Sequence, residues 1–224
     1  MLSTTTTPTQ RRQAFRAGLA SGELQVMPGA FTPLSVRLIQ EKGFHGAYIS
    51  GAVMAAELGL PDIGLTTLTE VAQRAHQISR MSDLPTLVDA DTGFGEPMNV
   101  ARTVHERAKA LQDAGADAIF PEAMASLDEF AAMRAAVDVP ILANMTEFGK
   151  SQLFTHQQLH DVGVNLVIHP VSLLRIAFGA IERGLDTLLT DGTLDAEVPS
   201  MQTRGRLYEL LDYEAYNAFD ASIY

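Results

Sequence analysis

From about residue 25 onward, short apolar runs alternate with amphipathic stretches along the chain. The runs at 25–29, 46–50, 85–90, 116–121, 139–144 and 164–169 have the length and bounding of buried strands, most being followed by polar or glycine-containing loops. Between them, helix starts are marked by a hydroxyl residue followed three positions later by Glu or Gln: Thr67 with Glu70, Ser126 with Glu129, and Thr155 with Gln158. In such a box each side chain takes a backbone N–H that the helix cannot satisfy. Gly163 falls where a helix end calls for a left-handed residue. Strand, loop and helix in repetition predict parallel strands joined by helical crossovers.

Periodicity leaves two architectures open. A closed α/β barrel usually takes about 250 residues and eight strands; an open doubly wound sheet needs fewer. The placement of polar residues favours the barrel. Ser50-Gly51, Asp89 and Asp91, Glu122, Asn144 with Thr146, and His169 each stand where a strand gives way to its loop. Such ends converge on one face of a barrel, where barrel enzymes keep their chemistry. No linker or composition shift divides the chain, so residues 13–224 are expected to form one domain. Residues 1–12, rich in threonine and closing on Arg11-Arg12, are expected to be a disordered lead-in.

Composition narrows the chemistry. A formal charge of −11 argues against nucleic acid or an anionic membrane as partner. An anionic substrate must therefore be held by local arginines or a metal. No apolar run is long enough to span a bilayer, and the N-terminus lacks a signal-peptide core, so a cytoplasmic location is expected. The chain has no cysteine, which excludes disulfides and thiolate metal ligands.

The most informative stretch is Leu87-Val88-Asp89-Ala90-Asp91-Thr92-Gly93-Phe94-Gly95. Side chains two apart on a strand point the same way. Asp89 and Asp91 would thus project toward one spot at the strand's end, an arrangement suited to a hard divalent cation such as Mg²⁺.

Further motifs follow in order along the chain. They are Pro28-Gly29-Ala30-Phe31, Tyr48-Ile49-Ser50-Gly51-Ala52, and Leu60-Pro61-Asp62-Ile63-Gly64-Leu65-Thr66-Thr67. Then come Ile119-Phe120-Pro121-Glu122-Ala123, Ala143-Asn144-Met145-Thr146-Glu147-Phe148-Gly149, His169-Pro170-Val171-Ser172 with Arg175, and Met201-Gln202-Thr203-Arg204. Together with the Asp89/Asp91 segment, the chain resembles the isocitrate lyase and phosphoenolpyruvate mutase superfamily, and within it the methylisocitrate lyases most closely. The resemblance implies an α/β phosphoenolpyruvate mutase-like (β/α) TIM-type barrel. It also implies Mg²⁺-dependent cleavage of a C–C bond in a small di- or tricarboxylate, 2-methylisocitrate giving pyruvate and succinate in the methylcitrate cycle of propionate catabolism. By resemblance, Ser50, Gly51 and Ala52 bind a substrate carboxylate, and Asp89 and Asp91 hold Mg²⁺ with Asp62 and Glu122 in support. Glu122 also faces the substrate. Asn144, Met145 and Thr146, with Arg175 and Arg204, bind the succinyl half. Members usually form homotetramers that exchange C-terminal helices.

The departure from the family is localised. Relatives carry two further βα units between the Asp89 strand and the Glu122 strand, including a mobile Lys-Arg-Cys-Gly-His loop whose cysteine is the proposed general acid. Here residues 99–105 run directly into 106–111, with the junction near Glu106 or Arg107. Val100, Val104, Ala108 and Leu111 keep helical spacing across it, and Pro97 and Gly115 suit the two ends of one helix. The expected architecture is therefore an incomplete barrel of six recognisable units out of eight. With no cysteine in the chain, the family's acid is absent, and losing a general acid costs about 10²–10⁴-fold in rate. An alternative reading is a non-catalytic carboxylate- or metal-binding relative, or an oligomer-modifying subunit.

Overall fold

Five parallel strands and a sixth strand-like segment form one continuous order in the computed structural model, which describes residues 4–89, 117–149 and 151–222. The strands are β1 (Gln25–Pro28), β2 (Ala47–Ile49), β3 (Thr86–Val88), β4 (Leu142–Asn144) and β5 (Leu166–His169). β5 lies between β1 and β4, with Gln25 opposite Leu166 and Leu142 opposite Leu166. β2 pairs with β3. A parallel bridge from Gly29 to Tyr48 joins β1 to β2, and another from Ile119 to Ile141 adds the sixth segment beside β4. The order is thus β3, β2, β1, β5, β4 and the Ile119 segment. Each expected strand is present but shorter, and 116–121 is reduced to the single bridge.

Helices α1 (Pro8–Ala20), α2 (Pro33–Glu41), α3 (Gly51–Glu57), α4 (Leu68–Ser79), α5 (Leu127–Ala136) and α6 (His156–Asp161) occupy the first part of the chain and the crossovers. α7 (Ser172–Asp191), α8 (Arg204–Leu211) and α9 (Tyr213–Ala221) follow β5. The capping boxes at Thr67 and Thr155 form as expected. Ser126 also caps its helix, but Glu129 turns its carboxylate to the N–H of Ala125. Gly163 takes a φ of 84°, and a side chain there would collide with Arg134.

Within the expected lead-in, the described residues from Thr4 on take part in the fold, and Pro8 opens a helix. Pro8 at the first helical position and a reciprocal Thr7–Gln10 box start α1. Ahead of it, the N–H groups of Thr5 and Thr6 both bond Asp83 Oδ1, at 2.7 and 2.8 Å. Arg11 donates to the carbonyls of Ser79 and Ser82. This segment is therefore tied to the loop that leads into β3.

Apolar residues bury themselves in three clusters. One lies between the β1–β5–β4 strands and α5 and α6, around Phe130, Met133, Ile141 and Val167. A second lies under α2 and α4, around Val36, Ile39, Ile49 and Ile78. The third joins Met27, Tyr48, Leu142, Leu166 and Ile168 from alternate strand positions, with Phe15 and Leu19 of α1 packed against them. A cavity of about 1240 Å³ opens beside this last cluster, with Thr86–Val88 of β3 on one side and residues 117–120 on the other. Gly29 sits at the seam where β1 meets β5. Its N–H bonds the carbonyl of His169 at 2.8 Å, and an added Cβ would lie 2.0 Å from the Pro170 oxygen.

Candidate active site

The strand ends bring the chemistry together as a parallel α/β fold dictates. At the end of β3, Asp89 donates its N–H to the Ile49 carbonyl. Its Oδ2 accepts the Gly51 N–H at 3.1 Å and the Tyr48 hydroxyl at 3.1 Å. Tyr48 and Ser50 stand two apart at the end of β2, and both are buried. Burial, reinforced by the charges of Asp89, Asp62 and Glu122, holds the Tyr48 phenol far above its usual pKa. Three carboxylates predicted for the metal shell therefore act on one hydroxyl. Tyr48 itself was not among the sequence candidates, although its alternation with Ser50 places it on the same side of the strand.

A second group lies across the rim. Glu122, Asn144 and Thr146 line a pocket of about 300 Å³ with Phe130, Gly149 and Ser151. Asn144 Oδ1 is buried with no hydrogen-bond partner among the described residues. A buried acceptor in that state costs roughly 1–3 kcal/mol, an energy that a donor from a bound ligand would restore. Ala123, next to Glu122, and Phe148, three residues beyond Met145, both hold positive φ angles of 57° and 60°. For residues with a Cβ that conformation is uncommon and collects at functional turns.

Arg175, one turn into α7, reaches back to this pocket. Its Nη1 donates to Thr146 Oγ1 at 3.1 Å, to the Glu147 carbonyl at 2.6 Å and to Glu147 Oε2 at 3.2 Å. Ser172 donates to the other oxygen of Glu147 at 2.5 Å. Burial works to raise the Glu147 carboxyl, but these hydrogen bonds and the guanidinium outweigh it, and its pKa lies below the usual range. The guanidinium also stands 5.4 Å from the Phe148 ring centroid.

Several predicted residues sit elsewhere. Met145 is a core residue: its side chain is buried, its N–H bonds Ile168, and its sulfur faces the Phe154 N–H. It can serve the site only through its backbone. Arg204 is exposed at the start of α8, a helix tied to α2 by the Arg206–Glu41 ion pair. The structure does not bring it to the pocket. Gly51 and Ala52 open α3, and Gly51 gives its N–H to Asp89. Asp91 and the junction helix lie outside the described residues.

Parallel strands whose C-terminal ends carry carboxylates and an amide, with an arginine from the helix after β5, define an α/β barrel-type protein with a polar site at its strand ends. Comparison with known proteins gives that class a family. The sequence profile described as phosphoenolpyruvate phosphomutase matches residues 15–108 and 104–189. A probable 2-methylisocitrate lyase 2 from Corynebacterium glutamicum is 46% identical over 293 aligned positions, covering 100% of this chain and 95% of that protein. The 2-methylisocitrate lyase of Bacillus subtilis is 33% identical, covering 93% of this chain and 92% of its own. Among solved structures, oxaloacetate acetylhydrolase superposes with a TM-score of 0.82 at 26% identity, covering 95% of this chain and 98% of the other. The chain therefore belongs to the phosphoenolpyruvate mutase and isocitrate lyase superfamily, as a homologue of its 2-methylisocitrate lyases, and is a lyase-type enzyme by family.

Proposed function

We propose that this chain cleaves 2-methylisocitrate to pyruvate and succinate with Mg²⁺, in the cytoplasm, as a homo-oligomer. The observation that carries the reading is Asp89 at the end of β3, hydrogen-bonded to the Tyr48 hydroxyl and the Gly51 N–H, on a rim that also holds the Glu122 pocket with its Asn144 oxygen unpartnered among the described residues. Carboxylate oxygens fit Mg²⁺, which Asp89 would hold directly, with Asp91, Asp62 and Glu122 in support. Bound there, the ion would supply a Lewis acid that acidifies the substrate hydroxyl and stabilises its alkoxide.

The chain's own residues do the rest. Asn144, Thr146 and Arg175 receive a carboxylate of the succinyl half, Arg175 matching it with its planar fork. The Ser50 hydroxyl, at the end of β2, is assigned to the other carboxylate, while the Gly51 N–H stays on Asp89. Transfer of the substrate's hydroxyl proton to a rim carboxylate such as Glu122 lets the C–C bond break and a carbonyl form on the pyruvate half. The electron pair stays on the succinate carbon, which must take up a proton. With no cysteine in the chain, we assign that proton to the Tyr48 hydroxyl, which burial keeps protonated beside Asp89.

We read residues 104–108 as the point where two βα units of relatives are missing. The two profile segments overlap there, and the alignment of 293 positions has only 224 residues of this chain to fill it. The absence of the family's loop cysteine favours a second reading, a non-catalytic carboxylate-binding relative. The oligomer is supported by α7, whose twenty residues include none that is buried and whose Ile176, Phe178, Ile181, Leu185 and Leu189 are exposed. A tetramer in sedimentation velocity is the expected result.

The deciding experiment is pyruvate release from 2-methylisocitrate with Mg²⁺, beside Asp89→Ala. Turnover that disappears in the variant supports the lyase. A cooperatively folded protein with no turnover, but with succinate-dependent stabilisation, leaves the binding relative.

A further inference from the structure

On the same rim, but outside the carboxylate site, two imidazoles meet. His169 closes β5 and His156 opens α6, and their Nε2 atoms lie 3.0 Å apart with ring centroids at 5.3 Å. The Met145 backbone lies against the His169 ring and favours a proton on it. With Nε2 directed at His156, Nδ1 is the nitrogen left to meet that neighbour. A neutral ring that donates from Nδ1 presents a lone pair at Nε2. A backbone carbonyl holding the far nitrogen is also the usual way a protein aims a metal-ligating histidine.

From this geometry we propose that His156 and His169 form a two-imidazole seat for a borderline transition-metal ion such as Zn²⁺. Two imidazoles on one tetrahedral Zn²⁺, each about 2.0–2.1 Å from it, place their nitrogens about 3.3 Å apart. The observed spacing therefore needs an opening of only a few tenths of an ångström, on the exposed His156 side. The shared proton of this 3.0 Å contact sits on one of the two Nε2 atoms. Shifting that proton to Nδ1 turns the second lone pair inward, a change that an exposed ring makes at little cost.

Burial, and then the neighbouring His156, keep His169 below its usual pKa and so in the neutral form a metal requires. The Glu147 carboxylate adds negative potential from the β4 side. No cluster of three or more His, Asp or Glu ligands exists among the described residues, so water or a carboxylate ligand would fill the remaining positions. Nitrogen donors separate this seat from the oxygen-lined Mg²⁺ site, because imidazole suits Zn²⁺ and Cu²⁺ and not Mg²⁺.

The test needs no turnover. The intact protein, held in excess Mg²⁺, is titrated with Zn²⁺ by calorimetry and with Cu²⁺ by electron paramagnetic resonance. One ion per chain is expected, with nitrogen hyperfine structure from two imidazoles. His156→Ala, at an exposed position that leaves folding intact, should weaken binding about tenfold or more, and His169→Asn likewise. His160→Ala, whose ring faces the Gly22 carbonyl, should bind as the parent does. Equal affinity in the parent and His156→Ala overturns the proposal, as does an absence of saturable binding, which would make the pair a hydrogen bond only.

Discussion

The β1–β5–β4 strands and the β3 strand follow the same sequence logic but end in different surroundings. Val167 and Ile168 of β5, flanked by strands on both sides, are almost completely buried. Val88 of β3, paired only with β2 among the described residues, is 38% exposed. The difference extends to the site. Thr146, Glu147 and Arg175, at the flanked end, interlock through Ser172 and one another. Asp89, at the β3 end, takes hydrogen bonds from Tyr48 of β2 and Gly51 of α3. A barrel strand takes its rigidity from its neighbours, and among the described residues the β4–β5 side of this rim has more of them than the β3 side.

The sharpest way to break that comparison is stability. Ile168→Ala should cost about 2–5 kcal/mol in urea denaturation, as expected for a large-to-small change in a closed core. A loss under about 1 kcal/mol would mean that the β5 core is as loose as β3. Next in size is Tyr48→Phe, which keeps the ring and deletes the proton. If the lyase reading holds, turnover should fall about 10²-fold or more with the melting temperature nearly unchanged. Retained turnover would remove Tyr48 from the chemistry.

Asn144→Leu sets stability against binding. Removing a buried unpartnered oxygen should raise stability by about 1 kcal/mol while abolishing stabilisation by succinate. A destabilised variant would mean that the oxygen is already satisfied in solution. Val88→Ala should change stability by less than about 0.5 kcal/mol, the counterpart of Ile168→Ala.

The smallest effect is one of pH. Burial and His156 depress the folded pKa of His169 below 6.5, so the unfolded chain takes up its proton first. The contribution is complete above 6.5 and is lost as pH falls through the lower folded value. Urea midpoints should therefore drop on acidification through that window, and His169→Asn should flatten the slope. A parent midpoint that rises on acidification would contradict the assignment.

Strand positions and most helix starts were legible because they depend on local signals: apolar runs, hydroxyl caps and Gly163. The barrel-side location of Asp89, Glu122, Asn144 and Thr146 was legible for the same reason, since each follows a strand directly. The order of α1 was written in Thr7-Pro8-Thr9-Gln10, a cap signal obscured by the threonine-rich composition around it. Met145 and Arg204 depend on side-chain direction and on helix docking, which spacing along the chain does not determine. The meeting of His156 with His169 required α6 to fold back over the end of β5, a tertiary event with no local signature.

The pairing of β1 with β5 also sets a timetable. Gln25 lies opposite Leu166, so the first strand made joins one made 141 residues later. At roughly 5–20 residues per second, ribosomes leave β1 waiting on the order of ten seconds for its neighbour. During synthesis its Gln25–Pro28 edge is open to any extended chain nearby, and the Gly29 seam closes only after the His169-Pro170 turn emerges.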